Sequence, residues 1–219
     1  MEDLHANLLE RVVLDTHALP WEPSPSPGVQ RRRLDRLGGE SGRATSIVRY
    51  DAGAAFPAHA HPAGEEILVL DGVFSDEHGD YPAGTYLLNP PGTRHAPFTR
   101  DGCTLFVKLR QHDGPERQQV CLDTQALDWL PGVAPGLSVK PLYSQAGFPE
   151  NVALVRWAPG TEFHRHVHPG GEEILVLEGV FEDELGSYPA GTWLRNPHMS
   201  VHTPFSREGC IIYVKVGGL

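Results

Sequence analysis

The sequence predicts an all-β protein built as two tandem barrels or sandwiches, and three observations carry that prediction. Residues 53–108 recur as residues 160–215 without a gap and at roughly 60% identity, so an internal repeat governs the reading before any local pattern does. Within each copy, apolar β-favouring runs such as Ile67 to Leu70, Leu105 to Val107 and Ile211 to Val214 are separated by Gly, Pro and Asp at short intervals. That is the rhythm of a sandwich or barrel. Finally, 24 Gly and 20 Pro in 219 residues oppose long helices, and the length suits two domains of about 100 to 110 residues.

Taken in order, the first dozen residues place Leu4, Leu8, Leu9 and Val12 at a spacing that predicts a short amphipathic helical turn or two. Leu14-Asp15-Thr16 and Trp21 return as Leu122-Asp123-Thr124 and Trp129, so each repeat opens with its own lead-in segment. Ser24-Pro-Ser-Pro-Gly28 reads as an extended, exposed loop. Arg31-Arg32-Arg33, followed by Asp35 and Glu40, reads as a solvated strand or loop rather than a phosphate-binding patch. Ile67 to Leu70, and its copy Ile174 to Leu177, is apolar on both faces, which requires a covering partner, either the other repeat or a second subunit. Gln111 to Pro115 breaks the last strand of the first copy. The expected domains are therefore residues 1–112 and 113–219.

Composition removes several classes of function. A formal charge of -10 and a pI near 5.6 oppose nucleic-acid binding. Met1 to His5 carries neither the basic nor the apolar region of a secretory signal, and no apolar run is long enough to span a membrane. Cys103, Cys121 and Cys210 are odd in number and form no CxxC pair, which fits a reducing compartment, so the expected location is the cytoplasm. Cys103 and Cys210 begin apolar strands and read as buried side chains rather than nucleophiles. Lys108 and Lys215, at matching strand ends, read as edge-shielding lysines.

The chemistry concentrates in two clusters. His59, His61, Glu65 and His95 recur as His166, His168, Glu172 and His202 at identical spacing. Histidines at i and i+2 of a strand project from one face. A bend over Pro62-Ala-Gly64 can bring the Glu65 carboxylate to the same point, and a neighbouring antiparallel strand can deliver His95. Three imidazoles and a carboxylate suit Zn, Fe(II), Mn, Ni or Co without choosing among them. The shell around the clusters differs between copies, with His164 for Pro57, His198 for Pro91 and Met199 for Gly92. On a continuous strand His164 would share a face with His166 and His168, which makes it either an added catalytic proton donor or acceptor or a solvent-exposed residue at a barrel mouth. His198 reads more simply as an exposed residue at a barrel mouth.

These motifs resemble those of the cupin superfamily. Gly53-x5-His59-x-His61-x3-Glu65-x6-Gly72 is similar to the first cupin motif, and Gly84-x5-Pro90-x-Gly92-x2-His95 to the second, with Thr99 where Asn is usual. In the second copy, Met199 and Ser206 replace the Gly and Asn of the second motif. A Gly there can supply a positive φ that Met resists, which bears on the turn before His202. The fuller pattern, including Tyr-Pro-Ala-Gly-Thr and Arg-x-Gly-Cys, is similar to the ChrR-like cupin family, named for the cupin half of a zinc-dependent anti-sigma factor.

The resemblance implies two jelly-roll (double-stranded β-helix) barrels, each holding one divalent metal through three His and one Glu, with Zn or Fe foremost and Mn, Ni or Co compatible. The helical zinc domain with which those anti-sigma proteins grip a sigma factor has no counterpart here, so sigma-factor binding is not expected. The expected partner is a small-molecule ligand or substrate, with neither nucleic acid nor membrane, and a homodimer is compatible with the pattern. Two main functional readings follow. One is a metalloenzyme, dioxygenase-like or of another cupin chemistry, acting on a small oxygenated molecule. The other is a metal- and ligand-sensing regulatory module. A third has one site catalytic and the other structural, with the His164 copy preferred for chemistry.

Overall fold

The computed structural model describes residues 3–114 and 116–219; Met1, Glu2 and Pro115 lie outside them. Among the described residues there is no α-helix, only the 3-10 turn Gly39–Ser41. The amphipathic turn expected near the start is therefore absent. Leu9 is exposed, and Val12 opens a strand, Val12–Asp15. Helices this short are marginal alone, whereas the strand gains a ladder by pairing Val12 to Asp15 with Arg195 to Thr192.

The chain forms two compact units. One comprises residues up to Ala6 together with Leu19–Ala126, and the other Asn7–Ala18 with Leu127–Leu219. The repeat pattern places the division at 112/113, but the compact units follow strand pairing instead. In the first unit, the antiparallel sheet runs Val120–Asp123, Thr85–Asn89, Glu65–Asp76, Cys103–Leu109, Arg43–Tyr50, Val29–Leu37 and Glu22–Pro23. The second unit repeats that order from Val12–Asp15 through Thr192–Asn196, Glu172–Asp183, Cys210–Val216, Asn151–Trp157 and Leu137–Ser144 to Leu130–Pro131. Each unit thus has the lead-in strand of the other repeat at one edge of its sheet, an exchange that covers an otherwise open edge.

A bulge in the long strand of each unit positions the site. Leu105 pairs with Val69 while Thr104 pairs with Asp71, which leaves Leu70 unpaired in the ladder. One extra residue reverses the alternation of faces beyond it. Ile67 and Val69 before the bulge and Phe74 after it consequently enter one core, with Tyr50, Leu87 and Leu105. Glu65 and Asp76, of opposite parity, can then serve one site. The same shift falls at Leu177, and Ile174, Val176 and Phe181 share the second core. Gly72 sits just past the first bulge at φ 72, where a Cβ would meet the Gly102 carbonyl oxygen at 2.2 Å. Only glycine fits there.

The other face of the long strand is also closed. Leu68 and Glu66 are buried, as are Tyr86 and Lys108. Glu66 accepts from the Tyr86 hydroxyl at 3.1 Å and lies 2.8 Å from His112 Nε2. Lys108 and Lys215 are fully buried in central strands rather than shielding an edge. Each stands opposite a buried glutamate in the ladder, Glu66 and Glu173 respectively. Lead-in tryptophans are clamped by cations, Trp21 by Arg32 and Arg49 and Trp129 by Lys140 and Arg156, contacts worth about 0.5 to 1 kcal/mol each at the surface. No helix among the described residues is long and apolar enough to cross a membrane.

Candidate metal centres

In the first unit, the short strand His59–Ala60 pairs antiparallel with Arg94–His95, setting His59 opposite His95. His61 follows at i+2, and Gly64, at φ 74, turns the chain into the long strand that begins with Glu65. One donor atom from each of His59, His61, Glu65 and His95 lies within 4.8 Å of every other. Glu65 Oε2 is 3.3 Å from His61 Nε2 and 3.4 Å from His95 Nε2. Such separations suit the edges of a coordination polyhedron with bonds of about 2.0 to 2.2 Å.

The ring orientations are fixed from behind. His59 Nδ1–H donates to the Pro57 carbonyl at 3.0 Å, and His95 Nδ1–H to Asp76 Oδ2 at 3.2 Å. The Thr93 hydroxyl spends its hydrogen on the Pro90 carbonyl at 2.7 Å, so at 2.9 Å it accepts from His61 Nδ1. With Nδ1 protonated in all three rings, each Nε2 keeps a lone pair for a cation. The buried Nε2 atoms of His61 and His95 have no hydrogen-bond partner. Buried polar atoms seldom stay so, and a divalent cation satisfies both at once. The residues present therefore fit a metal.

The electrostatics agree. Burial, with His95 and His59 adding to it, pushes His61 down to about 3, so its ring is neutral at physiological pH. Burial also lowers His95. Burial raises Glu65 to about 7, only partly opposed by the Asn89 side-chain amide that donates to it at 3.1 Å. A carboxylate this buried calls for a positive partner when ionised.

The second unit brings together His166, His168 and His202, the first and last again opposite each other in a short ladder. His168 Nε2 and His202 Nε2 are 2.9 Å apart. Glu172 lies 3.6 Å from each of those rings but outside the shared cluster. Asn196 donates to it at 2.9 Å, as Asn89 does to Glu65. Burial lowers His168 to about 3 and raises Glu172.

The support behind these rings is looser. Ser200, in the place of Thr93, has a buried hydroxyl without a partner, and His202 Nδ1 stands 3.7 Å from Asp183 Oδ2. Asp183 is instead engaged by the Tyr188 hydroxyl at 2.6 Å and by Arg11 at 3.0 Å. Burial would raise it, yet the nearby His202 ring, the Tyr188 hydroxyl, the Leu185 amide and the Arg11 charge together hold it below the usual carboxylate range.

The asymmetric residues fall differently from the sequence expectation. The strand starts at His166, so His164 is not on a continuous strand with it; His164 is exposed and outside the cluster. Its carbonyl accepts from His166 Nδ1 at 2.9 Å, the service Pro57 performs for His59. His198 is exposed, and its Nδ1 accepts from the Gly170 amide at 3.0 Å. Met199 adopts φ 62, so the turn survives the loss of Gly, with the Met199 amide on the His168 carbonyl as Gly92 is on that of His61. Cys103 and Cys210 are buried, and burial pushes both thiols up to about 11, which suits them poorly for attack. Sequence reading missed the supporting residues Asp76, Asp183, Asn89, Asn196 and Thr93. All but Thr93 recur unchanged in both copies, which is the signal that could have found them.

Each cluster opens into its own cavity. The first, of about 220 Å³, is walled by Val48, Tyr50, Phe56, Phe74, Leu105 and Val107, and is also lined by Arg31, Arg36, Glu40 and Arg110. The second, of about 440 Å³, is lined mainly by apolar residues together with the cluster, Glu172 and Asn151.

Residues 9–113 and 117–219 each match the family model described as the ChrR cupin-like domain. No curated protein matches the chain. Among solved structures, a candidate dioxygenase of Nostoc punctiforme is 18% identical over 96% of this chain and 84% of its own, with a TM-score of 0.81. The E. coli protein Ylba is 17% identical over 97% and 93%, with a TM-score of 0.73. Bacillus subtilis oxalate decarboxylase, described for its Mn(II) centres, is 15% identical over 94% and 77%, with a TM-score of 0.61. At these identities the likeness shows the cupin fold in both halves.

Proposed function

We propose, from the premise that this chain belongs to the ChrR cupin-like family, that it is a metalloenzyme acting on a small oxygenated molecule. One observation carries the reading. Four donors, His59, His61, Glu65 and His95, converge on one wall of a largely apolar cavity, and the buried Nε2 atoms of His61 and His95 lie beside Glu65 without a hydrogen-bond partner. These residues would hold the first metal, and His166, His168 and His202, with Glu172 beside them, the second. When bound, such an ion supplies Lewis acidity or O2 chemistry.

The protein's own groups do the rest. The Pro57 carbonyl, Thr93 and Asp76 hold the imidazole tautomers, which sets the donor geometry before any substrate arrives. Asn89 orients Glu65 and steadies its ionised form. Phe56, Phe74 and Leu105 give the cavity apolar walls, and a low-dielectric wall strengthens electrostatic interactions at the cluster.

Anaerobic metal analysis followed by O2-uptake and product assays over a panel of diketones and phenolics tests this. Turnover that is lost in His95→Ala supports it. Stoichiometric Zn with no turnover on the panel would count against the oxygenase form and favour the second reading, a ligand-sensing regulatory module, to which the family membership itself lends support.

A further inference from the structure

The metal clusters are nearly symmetric, but the cavities above them are not. Arg31 faces the interior of the first barrel, opposite Val48 in the ladder, and Arg36 does so opposite Ala44. Both are buried, at 8% and 3% exposure, and Arg110 joins them in lining the same cavity as His59, His61 and Glu65. The equivalent positions of the second barrel are Val139, opposite Val155, Ser144, opposite Asn151, and Gly217. Among the described residues, no Lys or Arg lines the second cavity. A chain of net charge -10 has thus put three guanidinium groups around the cavity of the first cluster and, among the described residues, none around that of the second.

Glu40 shows what these groups accept. Its carboxylate meets Arg31 by a two-pronged contact, Nη2 to Oε1 at 2.6 Å and Nη1 to Oε2 at 3.0 Å, with Arg36 Nη1 at 3.4 Å. This is the fork geometry by which arginine selects carboxylates. Glu40 comes from the short 3-10 turn Gly39–Ser41, and its side chain is 45% exposed. It can swing into solvent while the two buried arginines stay fixed, Arg36 also donating to the Gly39 carbonyl at 2.8 Å.

We propose that Arg31 and Arg36 form a carboxylate subsite in the first barrel, so that its substrate is a small organic acid with an apolar body, and that Glu40 is a tethered competitor which the substrate displaces. This rests on the reading of that cavity as the substrate site. It also shifts the expected site of chemistry from the second copy to the first.

Calorimetric titration of the full-length protein with benzoate and with its neutral isostere benzamide tests the proposal, with the metal content of each sample measured. The wild type is expected to prefer benzoate by on the order of tenfold or more, the worth of a charge-assisted contact. Glu40→Gln should tighten benzoate further, and Arg31→Met with Arg36→Met should erase the preference while metal content stays at the wild-type level. If Arg31 and Glu40 were only a structural pair, Glu40→Gln would lower thermal stability without tightening benzoate; that outcome overturns the proposal. So does equal binding, or no binding, of the two probes by the wild type, or a preference that survives loss of both arginines. Should the double variant not fold, Glu40→Gln decides. A protein that carries no metal yet still prefers benzoate would sink the metalloenzyme reading and leave the carboxylate subsite standing.

Discussion

Replacing Asp76 by Asn probes how the first centre is built. Asp76 Oδ1 accepts from the His78 amide at 2.8 Å and the Tyr81 hydroxyl at 2.9 Å, and Oδ2 accepts from His95 Nδ1–H at 3.2 Å. Asn keeps the first two bonds through its carbonyl oxygen but turns an NH2 toward Nδ1. The His95 ring then gains by moving its proton to Nε2, the nitrogen that faces Glu65 and His61. Restoring a free Nε2 for the metal costs the new bond and leaves two donors facing each other. Losses of this kind amount to about 10- to 100-fold in metal affinity, or about 1.4 to 2.8 kcal/mol. The assay is competition for Zn2+ against a fluorescent chelator, in a His202→Ala background so that only the first centre reports. Thermal unfolding of the metal-free protein serves as the control for global damage. Affinity within twofold of the parent would refute the claim that Asp76 sets the His95 tautomer.

Three further outcomes follow from the same geometry. Met199→Gly should raise stability by about 1 kcal/mol, since Met199 holds φ 62 at a position where Gly92 sits at φ 90; a lower unfolding temperature would show the side chain to be wanted. His164→Ala should leave metal binding in the second unit within twofold, because His164 supports His166 through its carbonyl, whereas a tenfold loss would make its imidazole a participant. Metal affinity of the first centre should climb with pH up to about 7 and then level. Glu65 must lose the proton that burial keeps on it to about 7, while His61, lowered to about 3, has none to lose. Chelator competition across pH 5 to 8 reads this, and a flat profile would contradict it.

Much of the architecture is legible in the sequence because a near-identical repeat shows the same periodicity twice, and the ligand types stand at spacings only a strand and its neighbour reconcile. What escaped depends on register. Arg31 looks like part of a solvated basic run, yet its position opposite Val48 turns it inward, and no count of charges reveals that. Asp76 and Asp183 sit in acidic hairpin segments, and only the bulges at Leu70 and Leu177 turn them toward the rings. Lys108 and Lys215 lie in central strands whose neighbours are fixed by tertiary pairing. The same is true of the lead-in strands, whose exchange between the sequence repeats no local pattern announces. His164 misled because HxHxH suggests one strand, while the ladder begins only at His166.

Elemental analysis of the purified protein after incubation with divalent metal, run alongside His95→Ala and His202→Ala, tests the two-centre account most directly. Two ions per chain in the wild type, one in each single variant and none in the double variant is the predicted pattern. A chain that retains no metal, or a stoichiometry that neither substitution changes, would contradict it.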